Sequence, residues 1–296
     1  MIKKTEDSYK KLAAYFYKHH MDGGELSVTT IAQALTRLAP TFTPGYFRRL
    51  KNAIAFDLSE RGYSSAAEEV KALVNPVTAP GSEMPQKPKR PKAKSFSDDE
   101  FRAFVNQLAG GGHHAVWAAV SLIRFTGARP EELKTIKIVD GVVVILGAKK
   151  SHQGQRGADR LLSVDDDNVS SLIANCIHIL KQSDMSMDAI RHRLRKEGQQ
   201  LWKRRKVIPS MYSMRHQFGS NLKSSGSDAR TIAYIMGHQS TSSVAVYGGR
   251  RPGDPAAIKV SPAQGAKLEP IRKKVSPQKM RRFEAMIYKS ESEHSK

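Results

Sequence analysis

The sequence has little of what disulfide-bonded, membrane-bound and metal-binding proteins require. It contains one cysteine, Cys176, which excludes an internal disulfide and any site built from several cysteines. Cys176 lies in an apolar stretch with helical spacing, residues 172–177, so we expect a buried and unreactive thiol. No run of about 18 apolar residues occurs, and the N-terminus has no apolar signal-peptide core. We therefore expect a cytoplasmic protein without a membrane partner.

The common patterns of cofactor binding are missing as well. The sequence has no Gly-x-x-x-x-Gly-Lys-Ser/Thr phosphate loop, no Cys/His spacing of a zinc site and no compact acidic triad for magnesium. We therefore predict a protein that uses no metal and no other cofactor.

Positive charge is what the chain has in excess. The sequence has 49 lysines and arginines against 28 aspartates and glutamates, which gives a formal net charge of +21. This charge is far larger than solubility requires, and it indicates a polyanionic partner. Because a membrane surface is not expected, we predict an association with the nucleoid.

Turn residues and charge divide the chain into four parts. Apolar residues at helical spacing indicate a small bundle up to residue 75. The prolines and cations that follow cannot pack in a core and indicate an extended linker. A new helix with an acidic first turn begins after Ser97. We predict a helical domain at 1–75, a basic Pro-rich linker at 76–96, a second domain at 97–252 and a basic, disordered C-terminal tail at 253–296 with a short helix at 277–289.

The middle of the second domain predicts a small antiparallel sheet. The segments 134–139 and 142–146 are rich in β-branched residues, and the Asp140-Gly141 pair between them favours a hairpin turn. A long polar loop then leads to a third strand at 160–164. Because the rest of the domain has helical spacing, the predicted fold class is mainly α with a small antiparallel β-meander.

Two motifs in the second domain combine residues suited to phosphate chemistry. The first is Thr-Gly-Ala-Arg-Pro-Glu-Glu-Leu at 126–133, which follows a helix that is apolar nearly all round. The second is Arg215-His216, followed by Gly237-His238 and then Tyr247, with helical segments between them. In this order, the motifs resemble the signatures of the tyrosine recombinases, the phage integrase family of enzymes that cut and rejoin DNA. The resemblance covers roughly residues 95–250.

The resemblance implies an N-terminal core-binding domain and a C-terminal catalytic domain that act on double-stranded DNA. Tyr247 is the implied nucleophile, which forms a 3′-phosphotyrosyl bond. Arg129, Arg215 and His238 would hold the phosphate oxygens, as planar guanidinium groups are suited to do. Glu132 and His216 are the implied supporting residues. Alternatively, His216 accepts the proton of the nucleophile.

A lysine on the predicted β-hairpin is the implied general acid, which would protonate the departing 5′ oxygen. Lys149 is the first candidate because it ends the second strand, and Lys150 is the alternate. Further cations are predicted to contact the DNA backbone from the first domain, the linker and the segment before the second motif. They are Arg48, Arg49, Lys51, Lys89, Arg90, Lys203, Arg204 and Arg205.

One position departs from the family pattern. The family usually has His or Lys three residues before the second arginine, where this chain has Tyr212. A phenol can donate a hydrogen bond to a phosphate, but it brings no positive charge. Tyr212 is therefore a candidate for a site role and an alternative candidate for the nucleophile.

We predict a site-specific DNA recombinase that needs neither metal nor ATP and integrates, excises or resolves a mobile element. It would act as a homotetramer on paired DNA sites and be a monomer or dimer off DNA, with accessory DNA-bending proteins as further partners. Two alternatives stay open. One is a relaxing enzyme of the type IB topoisomerase kind, and the other is a catalytically silent architectural or regulatory DNA-binding protein.

Overall fold

The computed structural model describes residues 3–21, 26–93, 95–148, 157–247, 249 and 253–273 of the chain. The chain divides into two compact units, Met1–Arg90 and Pro91–Lys296. The division falls inside the segment that the sequence predicts as the linker. Within the described residues, no helix combines the length and the apolar character needed to cross a membrane.

The described residues of the first unit form a bundle of four α-helices, α1 (Lys3–His20), α2 (Val28–Leu38), α3 (Pro44–Glu60) and α4 (Ser64–Ala72). Helix α2 starts at a capping box in which the Ser27 and Thr30 side chains satisfy each other's backbone amides. Helix α3 starts at the Thr43 cap, with a proline in its first turn. The helices share one core, whose most buried large side chains are Phe16, Ile31, Leu35, Leu50 and Ile54.

Among its described residues, the second unit contains six α-helices, with α6 at their centre. They are α5 (Asp98–Gly110), α6 (His114–Thr126), α7 (Asp167–Gln182), α8 (Met187–Leu201), α9 (Met211–Ser224) and α10 (Ala229–Ile235). Helix α6 packs against α5, α7, α8 and α9, so its apolar surface is buried nearly all round, as predicted. Cys176 on α7 is buried, and this burial raises the pKa of its thiol to about 12.

A four-stranded antiparallel sheet lies beside these helices, with the strand order β1 (Lys137–Val139), β2 (Val142–Ile145), β3 (Arg160–Val164) and β4 (Val260–Pro262). Asp140 and Gly141 both have positive φ, 49° and 76°, and so make the predicted tight turn between β1 and β2. The predicted fold class is confirmed. The sheet has one strand more than the predicted meander, because β4 comes from the segment that the sequence predicts as a disordered tail.

The chain after β4 returns to the segment that follows His238. The Arg272 amide donates to the Gln239 carbonyl at 3.1 Å, and the Thr241 amide donates to the Arg272 carbonyl at 3.1 Å. Ile271 next to this bridge is 2% exposed. Residues 253–273 are therefore part of the second unit rather than a disordered tail. The helix predicted at 277–289 lies outside the described residues.

Gly127 at the end of α6 permits both a left-handed turn and a close helix contact. Its φ is 62°, and a Cβ added there would overlap the ring of Phe218 on α9. We expect Gly127→Ala to lower the free energy of unfolding by more than about 2 kcal/mol, because the substitution combines αL strain with overpacking. Thermal and denaturant unfolding of the variant measure this loss.

Gly110→Ala is the matched control, since a Cβ at Gly110 meets no atom within 4 Å and the residue ends a helix. The control should unfold at or slightly above the temperature of the parent. Equal unfolding curves for Gly127→Ala and the parent would show that this close contact is not required.

Candidate active site

Arg129 is held in place by the turn that ends α6. Its amide donates to Glu132 Oε2 at 2.8 Å, and its Nη1 donates to Glu132 Oε1 at 2.8 Å. The second guanidinium nitrogen, Nη2, donates to the Gly237 carbonyl at 3.1 Å. Arg129 is 9% exposed, so its guanidinium group is at the edge of the protein interior.

Arg215 enters the same site from the first half of α9 and is fully buried. Its Nη1 donates to the Gly127 carbonyl and its Nη2 to the Met236 carbonyl, so one guanidinium group joins the ends of α6 and α10. Burial, and then the nearby charge of Arg129, lowers the pKa of Arg215 to about 10. The group therefore stays positively charged at neutral pH.

Tyr247 lies among three of the predicted site residues. Its ring centroid is 5.0 Å from that of His216 and 5.0 Å from that of His238, with the His238 ring stacked at an angle of 30°. The Arg215 guanidinium carbon is also 5.0 Å from the centre of the Tyr247 ring. The Tyr247 carbonyl accepts a hydrogen bond from Lys223 Nζ. Contacts from α9 and from the turn after α10 thus fix this tyrosine on several sides.

His238 follows directly on the end of α10, where Gly237 has a φ of 64°. The His238 amide donates to the Ala233 carbonyl at 2.8 Å, and its Nε2 is 3.3 Å from Arg215 Nη2. Because a guanidinium group can only donate, His238 Nε2 is the acceptor of that hydrogen bond and Nδ1 carries the proton. Burial, followed by the positive charges of Arg215 and Arg129, lowers the pKa of His238 to about 2. The imidazole is therefore neutral before any anion binds.

The neutral His238 predicts a specific pH dependence of stability. The pKa of His238 is far below its ordinary value of 6.5, so below that pH the unfolded chain binds a proton that the folded chain does not. The free energy of unfolding should then fall as the pH drops, by at most about 1.4 kcal/mol per pH unit from this group. The measurement is denaturant unfolding of the parent and of His238→Gln at about pH 7.5 and about pH 5. The parent should lose more stability than the variant, and equal losses would contradict the neutral imidazole.

Glu132 is fully buried and is the anion of the site. Burial alone would raise its pKa, but Arg160 and then Arg129 outweigh burial and lower the pKa to about 2. Both carboxylate oxygens are used. Oε1 accepts from Arg129 Nη1 and, at 3.3 Å, from the Ala148 amide, and Oε2 accepts from the Arg129 amide and from Arg160 Nη2 at 2.6 Å.

Arg160 on β3 belongs to this cluster, and the sequence analysis missed it. It is completely buried and its guanidinium group lies against Gly237, where an added Cβ would overlap Nη1. The signal was present in the strand pattern, because Arg160 shares the inward face of β3 with the buried Leu162. An arginine at an inward position of a short strand indicates a buried ion pair.

The remaining predicted site residues differ in how they are placed. Tyr212 on α9 is 39% exposed, and burial, then the charge of Glu131, then Tyr247, raises its pKa. Lys149 and Lys150 lie outside the described residues. The residue before them, Ala148, donates its amide to Glu132 Oε1, which places the base of the β2–β3 hairpin at the site.

The cations predicted to bind DNA fall into two groups. Lys51 Nζ donates to the Leu73 carbonyl at 2.7 Å, and burial lowers its pKa. Arg49 Nη2 donates to Ser8 Oγ at 2.6 Å, and Arg205 pairs with Glu100. These three therefore have partners within their own unit. The other five are exposed at the surface, as Arg49 is too, and they are Arg48, Lys89, Arg90, Lys203 and Arg204.

The described part of the chain offers no cluster of three or more His, Cys, Asp or Glu side chains that could hold a metal ion. Within it, the site just described consists of three arginines, one buried carboxylate, two histidines and one tyrosine. Such a site provides positive charge and hydrogen-bond donors for an anion, together with a hydroxyl nucleophile.

Residues 99–251 match the sequence profile described as the Phage integrase family, and the chain therefore belongs to this family of site-specific DNA recombinases. The two motifs predicted membership in the tyrosine recombinase family, and this prediction is confirmed. A comparison with curated protein sequences finds no match.

Two integrases are among the solved structures that share the fold. One is lambda integrase bound to DNA, with a TM-score of 0.58, 14% identity, and coverage of 80% of this chain and 85% of that chain. The other is the Tn1549 transposon integrase in complex with a circular intermediate DNA, with a TM-score of 0.54, 12% identity, and coverage of 81% and 95%. At these identities, the similarity concerns the fold.

Proposed function

We propose that this recombinase cleaves and rejoins DNA strands through a 3′-phosphotyrosyl intermediate formed on Tyr247. The observation that carries the proposal is the position of the Tyr247 ring, which contacts His216, His238 and Arg215 in a cluster that also contains Arg129. A tyrosine in an ordinary core contacts apolar side chains. This tyrosine is surrounded by groups that bind an anion and move a proton.

The first part of the reaction is phosphate binding. Arg129 and Arg215 would each donate to non-bridging oxygens of the scissile phosphate, since both guanidinium groups face the same cluster. Three arginines and one carboxylate leave the site with an excess of positive charge before DNA binds. Preorganised charge of this kind stabilises the additional negative charge of a pentavalent phosphorus transition state.

The second part is the attack. Tyr247 Oη forms a bond to phosphorus while the bond from phosphorus to the 5′ oxygen of the next nucleotide breaks. The phenol proton has to leave, because an ordinary tyrosine is protonated at neutral pH. His216 is the candidate acceptor because its ring lies beside the Tyr247 ring. Lys149, or Lys150 as the alternate, would donate a proton to the departing 5′ oxygen from the hairpin whose base contacts Glu132.

The third part is rejoining, which runs the same steps in reverse. The phosphotyrosyl ester retains the energy of the broken bond, so a 5′-hydroxyl of another strand can attack it without ATP.

His238, neutral in the absence of DNA, would donate from Nδ1, which has no partner among the described residues. Tyr212 would donate a neutral hydrogen bond where the family usually has a charged side chain.

DNA is the partner of this family member, and the manner of assembly is a further part of the proposal. We expect a homotetramer on paired sites, with the exposed cations of the first unit and of the 203–204 segment on DNA phosphates. Integration, excision or resolution of a mobile element would be the biological outcome, with accessory bending proteins as additional partners.

A suicide substrate tests the proposed function. The protein is incubated in EDTA and without nucleotides with nicked DNA from the flanks of its own coding region. We expect a covalent protein–DNA adduct on a denaturing gel, because a nick beside the cleavage site lets the short strand diffuse away. DNA that is bound at the parent's affinity but never joined to protein would favour the architectural alternative. Relaxation of plasmids that lack any such site would favour the topoisomerase-like alternative.

A further inference from the structure

The proposed reaction gives no role to one buried cation of the site, Arg160. Arg160 is completely buried and pairs with Glu132, and no step of that reaction uses it to bind a DNA phosphate. Its Nη2 donates to Glu132 Oε2 at 2.6 Å, whereas its Nε and Nη1 have no hydrogen-bond partner among the described residues. Burial is the largest influence on this group and lowers its pKa. Such a residue is costly to bury, and its single strong partner is the carboxylate that also holds Arg129.

The two carboxylate oxygens of Glu132 accept hydrogen bonds from two parts of the structure, the turn that carries Arg129 and the β-sheet with its hairpin. Arg129 uses one oxygen through its side chain and the other through its amide. Arg160 binds the second oxygen from β3, and the Ala148 amide approaches the first from the base of the hairpin. The carboxylate therefore has its orientation set from the side of Arg129 and from the side of the sheet. Without Arg160, the sheet side would keep only the longer Ala148 contact of 3.3 Å.

The surroundings of Arg160 leave it little freedom to move. Its neighbour Leu161 donates its amide to the Tyr234 hydroxyl of α10 at 2.9 Å, and Arg160 itself is paired with Ile145 across β2 and β3. Gly237 covers its guanidinium group, and the Gly237 carbonyl accepts from Arg129 Nη2. Arg160 thus touches the two groups that fix the Arg129 side chain, namely Glu132 and Gly237.

We propose that Arg160 is a positioning residue for DNA cleavage, which acts through Glu132 to hold the Arg129 guanidinium in the orientation that binds the scissile phosphate. This inference rests on the proposed function. If Arg160 were purely structural, its removal would lower thermal stability, DNA affinity and cleavage together. Removal of one partner of a buried ion pair is strongly destabilising when it leaves the other charge without a partner. In a variant that lacks only Arg160, Glu132 keeps Arg129 as its partner and is not left as an isolated buried charge.

Arg160→Met and Arg160→Lys separate the two roles. The methionine variant fills a similar volume without charge, and the lysine variant keeps the charge but has no planar fork. We expect Arg160→Met to lower the single-turnover cleavage rate on the order of 10- to 100-fold, because a small misplacement of a phosphate-binding group has effects of this size. Its DNA dissociation constant should stay within about twofold of the parent, since the role proposed for Arg160 is to orient Arg129 and not to bind DNA itself. Arg160→Lys should recover part of the lost rate.

A double variant tests whether Glu132 transmits the effect. If Arg160 acts through Glu132, then Glu132→Gln combined with Arg160→Met should cleave about as fast as Glu132→Gln alone. Thermal unfolding and DNA affinity of each variant show that the fold is retained. If the fold-reduction in cleavage rate of the double variant equals the product of the reductions in the two single variants, the proposal is overturned.

Two other results would also overturn it. One is an Arg160→Met protein that cleaves at the parent's rate. The other is a parallel loss of DNA affinity, thermal stability and cleavage in both Arg160 variants, which would assign a structural role only. The parent in the same assay keeps the two claims apart, because a parent that forms no adduct fails the proposed function itself, and this inference with it.

Discussion

The Tyr247→Phe variant is expected to form no covalent adduct with DNA while binding it as the parent does. The substitution removes the attacking oxygen but keeps the ring that packs between His216 and His238. Removal of a nucleophile should lower the cleavage rate on the order of 10⁴-fold or more. The adduct is measured on a denaturing gel with a nicked substrate, and DNA binding is measured by the shift of the same labelled DNA on a native gel.

Tyr212→Phe is the matched control for this experiment. It removes a hydroxyl from the same region, since Tyr212 and Tyr247 influence each other electrostatically. We expect the control to retain the adduct, at a reduced rate if the Tyr212 hydroxyl donates to the phosphate. The opposite pattern, with an adduct in Tyr247→Phe and none in Tyr212→Phe, would assign the nucleophile to Tyr212 and contradict the role proposed for Tyr247.

Arg215→Lys is expected to produce the second largest loss. Arg215 donates to the Gly127 and Met236 carbonyls and to His238 at once, and it lies over the Tyr247 ring. An ammonium group cannot make these planar, multiple contacts, although it keeps the positive charge. We expect the cleavage rate to fall on the order of 100- to 1000-fold, as when one preorganised donor to a transition state is lost.

The control for Arg215→Lys is the same exchange at an exposed position. Arg195 on α8 is exposed, so Arg195→Lys should cleave DNA at the parent's rate. Both variants should retain the parent's DNA affinity, since the net charge of the protein does not change. If Arg215→Lys cleaves as fast as the control, then the fork of the guanidinium group has no part in the reaction.

The helices and the first three strands could be predicted because their signals are local. The capping residues Ser27 and Thr43, the Asp140-Gly141 turn and the apolar periodicity of α6 each act within a few residues. Strand β4 could not be predicted in this way. It has only three residues, one of them proline, and it forms because β3, about a hundred residues earlier in the chain, offers an unpaired edge.

For the site as well, the sequence predicted the residues from local motifs but not the long-range contacts of their side chains. The motifs indicated Arg129, Arg215, His238 and Tyr247 as site residues, and the structure brings all four into one cluster. The spacing carried no information on what the side chains contact. The interactions of Glu132 with Arg160 and of Lys51 with the Leu73 carbonyl depend on elements that meet only in the folded chain. Long-range partners of this kind, and not the local pattern, decide which cations bind an anion and which support the fold.

The most direct test of the proposed reaction is to identify the residue and the DNA end that become joined. The adduct from the parent is digested with nuclease and trypsin, and the modified peptide is sequenced by mass spectrometry. The account predicts a nucleotide joined through its 3′-phosphate to Tyr247 in the tryptic peptide 231–250, and a free 5′-hydroxyl on the released strand. A nucleotide on Tyr234 of the same peptide, on Tyr212, or joined through a 5′-phosphate would contradict it.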